Sequence, residues 1–322
     1  MIDYSSVQIR TWAKLGSAGS FGVAAMELPA LSDDILVLTA DLCTFSGLDR
    51  FRAKYPDRLL NVGIAEQNMI GIAAGLAKEG YTVFATTYAS FASTRSLEQV
   101  RLHLGYGGFD IKVVGMTSGL SVGILGGTHM ALEDIANLRA IPGLTVISPA
   151  DCMETVKATL AAAAHKGPVY LRLTGGMNNP QVYTEDYGFE IGKAVWLREG
   201  RDVAIVGTGS MVSTALDVSK LLQEQGITSS VLNMHTIKPL DTAAVDALCN
   251  SCRLLVTVEE HNVIGGLGGA VAEYTSTLMN RPPQLTIGVQ DYFPHAGSYE
   301  YLLEQCGLTA PQIAQKILQV LI

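Results

Sequence analysis

The sequence runs to 322 residues, of which 48% are apolar and only 16% charged, with a formal net charge of −8. That length suits two α/β domains, and so apolar a chain needs a large interior or a large interface. An acidic chain without a basic patch is a poor match for nucleic acid, and no apolar stretch approaches the ~20 residues of a membrane helix.

Residues 1–6 carry no charged stretch ahead of an apolar run, so no signal peptide is expected. Five cysteines, Cys43, Cys152, Cys249, Cys252 and Cys306, form an odd set in a chain too long to need disulfide staples. They suit a reducing, cytoplasmic setting. Cys249 and Cys252 have the spacing of a redox or metal pair, but no second pair accompanies them, so structural thiols are the expectation.

In chain order, short β-branched runs alternate with longer helical patterns, the signature of βαβ units and a parallel sheet. Residues 35–39 read as a buried strand, with Ala40, Asp41 and Leu42 at its C-terminal end. Residues 81–85, 111–115, 145–148 and 169–173 read as further strands, with helices over 66–77, 91–104 and 153–165 between them. A loop rich in Gly, Asn and Pro (175–180) leads through a polar stretch to Gly188 and reads as a linker. A second set then begins, with strands over 202–206, 229–233 and 254–258 and a helix over 210–225. The expected fold class is α/β, with two doubly wound domains of mainly parallel sheet, residues 1–187 and 188–322.

The stretch from Asn61 to Met69, Asn-Val-Gly-Ile-Ala-Glu-Gln-Asn-Met, places Glu66 at the start of a helix of small apolar residues. On the residues alone two readings stand level: Glu66 complements the positive helix N-terminus, or it is a functional carboxylate. The helix behind it is apolar nearly all round, which predicts burial, and a buried carboxylate needs a partner. Gly71 and Gly75, four apart, let another backbone come close, as at a subunit interface. Tyr88 and Phe91 sit three apart after a strand and share one face of the following turn. Arg95, Glu98 and Arg101 repeat at helical spacing and are expected to pair along that helix. His129 lies in a Gly-rich loop after a strand, at the sheet edge where α/β folds bind ligands. Glu133 and Asp134 are expected to cap the next helix. The glycine cluster at 265–269, behind Glu259, Glu260 and His261, has the wrong spacing for a dinucleotide loop and reads as a structural helix start.

The motif at 61–69 resembles the pyrimidine-domain signature of transketolases and deoxyxylulose-phosphate synthases, and the likeness runs over most of the chain. It implies thiamine diphosphate as cofactor. It implies that Glu66 hydrogen-bonds N1′ of the aminopyrimidine, where a shared proton favours the imino tautomer whose 4′-nitrogen can deprotonate thiazolium C2. By the same resemblance Tyr88 and Phe91 pack on the aminopyrimidine, Asp41 and Leu42 lie near the thiazolium, His129 reaches the donor carbonyl and hydroxyls, and the run Glu259, Glu260 and His261 belongs to a C-terminal domain distant from the chemistry. Diphosphate-binding domains of this superfamily hold a divalent metal with a Gly-Asp-Gly motif and a later Asn, and no Gly-Asp-Gly occurs here. The expectation is one half of a split enzyme, with no metal ligands in this chain. An N-terminal diphosphate-binding partner would supply those for Mg2+ in an α2β2 assembly.

The expected function is transfer of a two-carbon ketol unit from a ketose to an aldehyde. The rival enzymatic reading is the β subunit of a 2-oxo acid dehydrogenase or a pyruvate-using decarboxylating synthase; a silent regulatory subunit is the non-enzymatic one. Three positions depart from the family pattern. Leu125 stands where an acidic residue precedes the loop histidine by four, and Thr117 and Gly175 stand where relatives that bind sugar phosphates place His and Arg. Losing a hydroxyl acceptor and two cations predicts an acceptor that is not an ordinary aldose phosphate.

Overall fold

Residues 2–321 are described in a computed structural model, and the strands among them form two sheets. The first is built from β1 (Ile35–Thr39), β2 (Leu59–Asn61), β3 (Thr82–Tyr88), β4 (Ile111–Ser118), β5 (Thr145–Ile147) and β6 (Val169–Thr174). The second contains β7 (Val195–Arg198), β8 (Val203–Gly207), β9 (Ser229–Asn233), β11 (Leu254–Asn262) and β12 (Gln284–Val289). Between β9 and β11 in the chain, β10 (Thr236–Lys238) returns to the first sheet and pairs antiparallel with β5. The orders are β10-β5-β6-β4-β3-β1-β2 and β12-β11-β8-β9-β7. All other pairings are parallel except β7 on β9. Strands β4 and β6 are buried almost throughout, Lys112 and Arg172 included, so they show no alternation of apolar and polar residues.

Strand β1 pairs with β2 on one side and β3 on the other, so the chain reverses its direction of travel across the sheet there. The crevice beyond the carboxyl ends of β1 and β3 is where such a fold leaves room for a ligand. Three local features shape it. The helix Ser6–Ala25 is broken at Gly16, whose φ is 79°, because the loop after β6 passes against it; a Cβ at Gly16 would lie 2.2 Å from the Gly176 carbonyl oxygen. The segment expected as a plain helix from 91 is π-helical over Phe91–Arg95 and Val100–Tyr106. Ser93 and Ser96 hydroxyls donate to the carbonyls of Ala89 and Ala92 and compete with the ordinary ladder, and the Ser96 N–H bonds the Phe91 carbonyl five residues back.

The third feature is the helix Glu66–Lys78, which corrects the expectation of all-round burial. Met69, Ile70, Ala73 and Ala74 are buried, while Gln67, Asn68, Gly71 and Gly75 are exposed in the single chain. A Cβ at Gly71 or Gly75 would meet nothing within 4 Å. No helix among the described residues is long and apolar enough to cross a membrane.

Candidate active site

The last residue of β2 organises the approach to Glu66. The Asn61 side-chain oxygen accepts the N–H of Asp41 and of Gly63, each at 3.0 Å, and its amide donates to the Asp41 carboxylate at 2.9 Å. Gly63, at φ 74°, turns the chain so that Glu66 begins the next helix with its side chain only 3% exposed. Its partner is Arg95, whose Nη1 lies 3.0 Å from both carboxylate oxygens. The expected ladder along the 91–104 helix is thereby corrected. Arg101 and Glu98 form a loose, exposed pair at 3.8 Å, whereas Arg95 points away to a carboxylate that burial leaves in need of a cation.

Four rings gather beside this pair. Tyr88, at the end of β3, meets Phe91 edge-on with centroids 5.6 Å apart, and His129 stands 5.3 Å from Tyr88 and 5.2 Å from Phe91. Phe45 packs on Tyr88 at 4.7 Å. It was missed in the sequence, where one aromatic three residues after the Asp41-Leu42 pair carried no periodic signal. Arg95 lies over the Phe91 ring, 3.9 Å from its centroid. Burial raises the Tyr88 hydroxyl above its ordinary pKa. A buried carboxylate flanked by aromatic rings is a donor set suited to an aminopyrimidine, which offers a ring nitrogen to the first and π faces to the second.

Asp41 (φ 60°) and Leu42 line a cavity of about 420 Å³ with Phe45, Arg52 and Asn61. Phe45 also borders a neighbouring cavity of about 290 Å³, whose walls include Thr117, Gly175, Gly16, Ser17 and Met177. Two of the three departing positions therefore share one hollow. Thr117 holds the strained φ of 49° and its buried hydroxyl has no hydrogen-bond partner among the described residues. Gly175 has φ 87°, a backbone conformation that strains any L side chain, and a Cβ there would sit 2.3 Å from the Asn179 side-chain oxygen, so an arginine is disfavoured. Leu125 is 46% exposed in the 3-10 turn Gly123–Leu125 of the histidine loop.

That loop is clamped at its base. Gly119 and Ala131 exchange backbone hydrogen bonds at 3.0 and 3.2 Å, and Arg172, fully buried in β6, donates to the Ala131 carbonyl. The expected caps are corrected here. Asp134 is buried and accepts from Arg172 Nε and the Tyr170 hydroxyl, both at 2.7 Å, while Glu133 bonds the Leu132 N–H. A buried guanidinium claims the carboxylate before a helix end can. Glu259 does serve a helix start, accepting from the N–H groups of Leu267 and Gly268 at 2.7 and 2.8 Å. Its neighbour Glu260 is not distant from the site: it accepts the Leu120 N–H of the histidine loop, together with Ser210 and Tyr299. Among the described residues, no group of three or more His, Cys, Asp or Glu is arranged to hold a metal ion.

The family model for the transketolase pyrimidine-binding domain matches residues 18–179, and that for the transketolase C-terminal domain matches 192–313. The chain belongs to the transketolase family. It is 43% identical to the 6-deoxy-6-sulfo-D-fructose transketolase subunit SqwH of Clostridium sp. (strain MSTE9), over 90% of this chain and 89% of that protein. An apulose-4-phosphate transketolase subunit from Phocaeicola vulgatus is 36% identical over 93% and 96% of the two chains. A solved split gene transketolase, described as an inactive beta4 tetramer, superposes with a TM-score of 0.86 at 37% identity, covering 95% of this chain and 98% of that one. This is a family of transferases that depend on thiamine diphosphate, and its two domain types account for both sheets.

Proposed function

We propose that this chain is the pyrimidine-binding and C-terminal half of a two-chain transketolase that moves a two-carbon ketol unit to an atypical acceptor. The observation that carries this reading is the buried carboxylate of Glu66 beside Tyr88, Phe91 and His129, at the crevice beyond the carboxyl ends of β1 and β3. Thiamine diphosphate, when bound, supplies the nucleophilic C2 that carbonyl chemistry of this kind requires. Glu66 shares a proton with N1′ of the aminopyrimidine. Tyr88 and Phe91 pack that ring and exclude water, and Asp41 and Leu42 border the thiazolium. His129, whose Nδ1 is 2.9 Å from the Thr128 hydroxyl, offers its other nitrogen to the substrate carbonyl and hydroxyls.

Residues 1–187 carry the pyrimidine site in this reading, and 188–322 form the C-terminal domain. An N-terminal diphosphate-binding chain contributes the Mg2+ ligands and diphosphate contacts in an α2β2 enzyme. The names of two relatives as transketolase subunits support a partner, and their sulfo-sugar and apulose phosphate substrates support a changed acceptor or donor. Calorimetry tests the division of labour. The isolated chain should bind thiamine diphosphate and magnesium weakly or not at all, and binding should appear on adding the partner. Tight, magnesium-dependent binding by this chain alone would sink the split-enzyme reading.

A further inference from the structure

Among the described residues, Arg95 is the one side chain bonded to the Glu66 carboxylate. We propose, on the reading of Glu66 given above, that Arg95 is a positioning residue of this active site: its guanidinium holds the carboxylate in the orientation that meets N1′ of the cofactor.

The geometry favours orientation over simple charge pairing. Nη1 is equidistant from Oε1 and Oε2 at 3.0 Å, so it lies between them and leaves the outer lone pairs of both oxygens free. A carboxylate has about four acceptor sites, and one of the remaining ones can face a pyrimidine nitrogen. The guanidinium is itself fixed, because it lies 3.9 Å from the centroid of Phe91, and the π-helical turn Phe91–Arg95 joins the two in the chain. A chain of constraint thus runs from the aromatic wall through Arg95 to Glu66. The helix N-terminus at Glu66 supplies favourable charge but no such directional hold.

The two ends of the pair differ in exposure. Glu66 is 3% exposed and Arg95 46%. A half-exposed arginine adds little to stability through its ion pair, so a role confined to tying two helices together is a weak use of it. Its open outer side also leaves a route by which a small guanidinium from solution can take the place of a missing side chain.

The test uses the complex of this chain with its diphosphate-binding partner. Exchange of the cofactor C2 proton in D2O, without substrate, is followed by NMR for the parent, Arg95→Ala, Arg95→Lys and Glu66→Gln, alongside cofactor affinity and thermal unfolding. Arg95→Ala should slow exchange about 10- to 100-fold, the scale of a misplaced catalytic group. Millimolar methylguanidinium should restore much of it, and Arg95→Lys, which keeps the charge without the planar fork, should be intermediate. Parental exchange in Arg95→Ala, with Glu66→Gln slow, overturns the positioning role and leaves that of Glu66 standing. Parental exchange in Glu66→Gln removes the underlying reading of the site. If Arg95→Ala fails to assemble, Arg95→Lys decides: exchange at the parental rate overturns the positioning role.

Discussion

Glu66 combines near-complete burial with a single cationic partner, so its chemistry and its structural cost can be separated by one substitution. Glu66→Gln keeps the shape and removes the ionisable group. Turnover of the complete enzyme should fall by ~10²–10⁴-fold, the usual worth of a positioned proton donor, with thermal stability little changed. Near-parental turnover would end the assignment. Phe45 lines both cavities and packs on Tyr88, so Phe45→Ala should weaken cofactor binding by roughly tenfold through lost aromatic packing, measurable by titration of the complex. His235 is an unrelated residue with a pH signature. It is fully buried, 4.3 Å from the Phe189 ring, and burial pushes its imidazole down to about 4 against smaller opposing effects of the Lys193 backbone and Asp241. The unfolded chain therefore binds its proton more tightly, and this contribution to stability is present above pH ~6.5 and lost as pH falls towards 4. Glu259 and Asp151, pushed up by burial to about 7 and about 6, run the opposite way and blur the parent's profile. The difference between His235→Phe and the parent isolates the histidine: the variant's relative stability in denaturant should grow steadily as pH falls from ~6.5 to 4.

At the scale of elements, the histidine loop is placed by groups that belong to neither the loop nor the crevice. Arg172 on β6 ties the Ala131 and Glu260 carbonyls together and is neutralised by Asp134, both charges being buried. Removing one partner leaves the other charged and dry. Asp134→Ala should cost about 3–5 kcal/mol in equilibrium unfolding, and Arg172→Met with Asp134→Leu should recover most of it. A double variant no more stable than Asp134→Ala would show that the loop needs these hydrogen bonds rather than mere charge balance. Gly16 breaks the first helix where the loop carrying Gly175 crosses, so the two form one wall of the cavity beside Thr117.

Over the whole molecule, β10 stitches the C-terminal half to the first sheet, and Glu260 bonds the histidine loop from β11. The C-terminal half thus helps to hold the loop that carries His129. The helix Glu66–Lys78 turns Gly71 and Gly75 outwards with no neighbour, a face that one chain leaves open. In the proposed reading, the hollow beside Thr117 and Gly175 bears on the acceptor. A dianionic phosphate gains its strongest bonds from guanidinium and imidazolium groups, and neither departing position offers one. The assembled enzyme should transfer a ketol unit poorly from xylulose 5-phosphate to ribose 5-phosphate; turnover of ~10 per second or more, ordinary for an enzyme, would show the acceptor site to be conventional.

The order of elements was legible in the sequence because parallel strands buried on both faces read as short apolar runs, and β1, β9 and the helix at Glu66 begin where those runs predict. Glu66, Tyr88, Phe91 and His129 were singled out because their segments resemble the transketolase pattern, and the structure gathers the three rings beside the Glu66–Arg95 pair. What the sequence could not show is who meets whom. Arg95 repeats with Glu98 and Arg101 as a solvated helix face would, yet a π-helical turn and a buried carboxylate 29 residues away in the chain claim it. Asp134 has the position of a helix cap, but a buried arginine on β6 outbids the helix end. Strand β10 is three residues without a period, and only an open edge on β5 makes it a strand. Local propensity and periodicity are written in neighbouring residues. Charge compensation and edge pairing depend on burial, which exists only once the chain has folded.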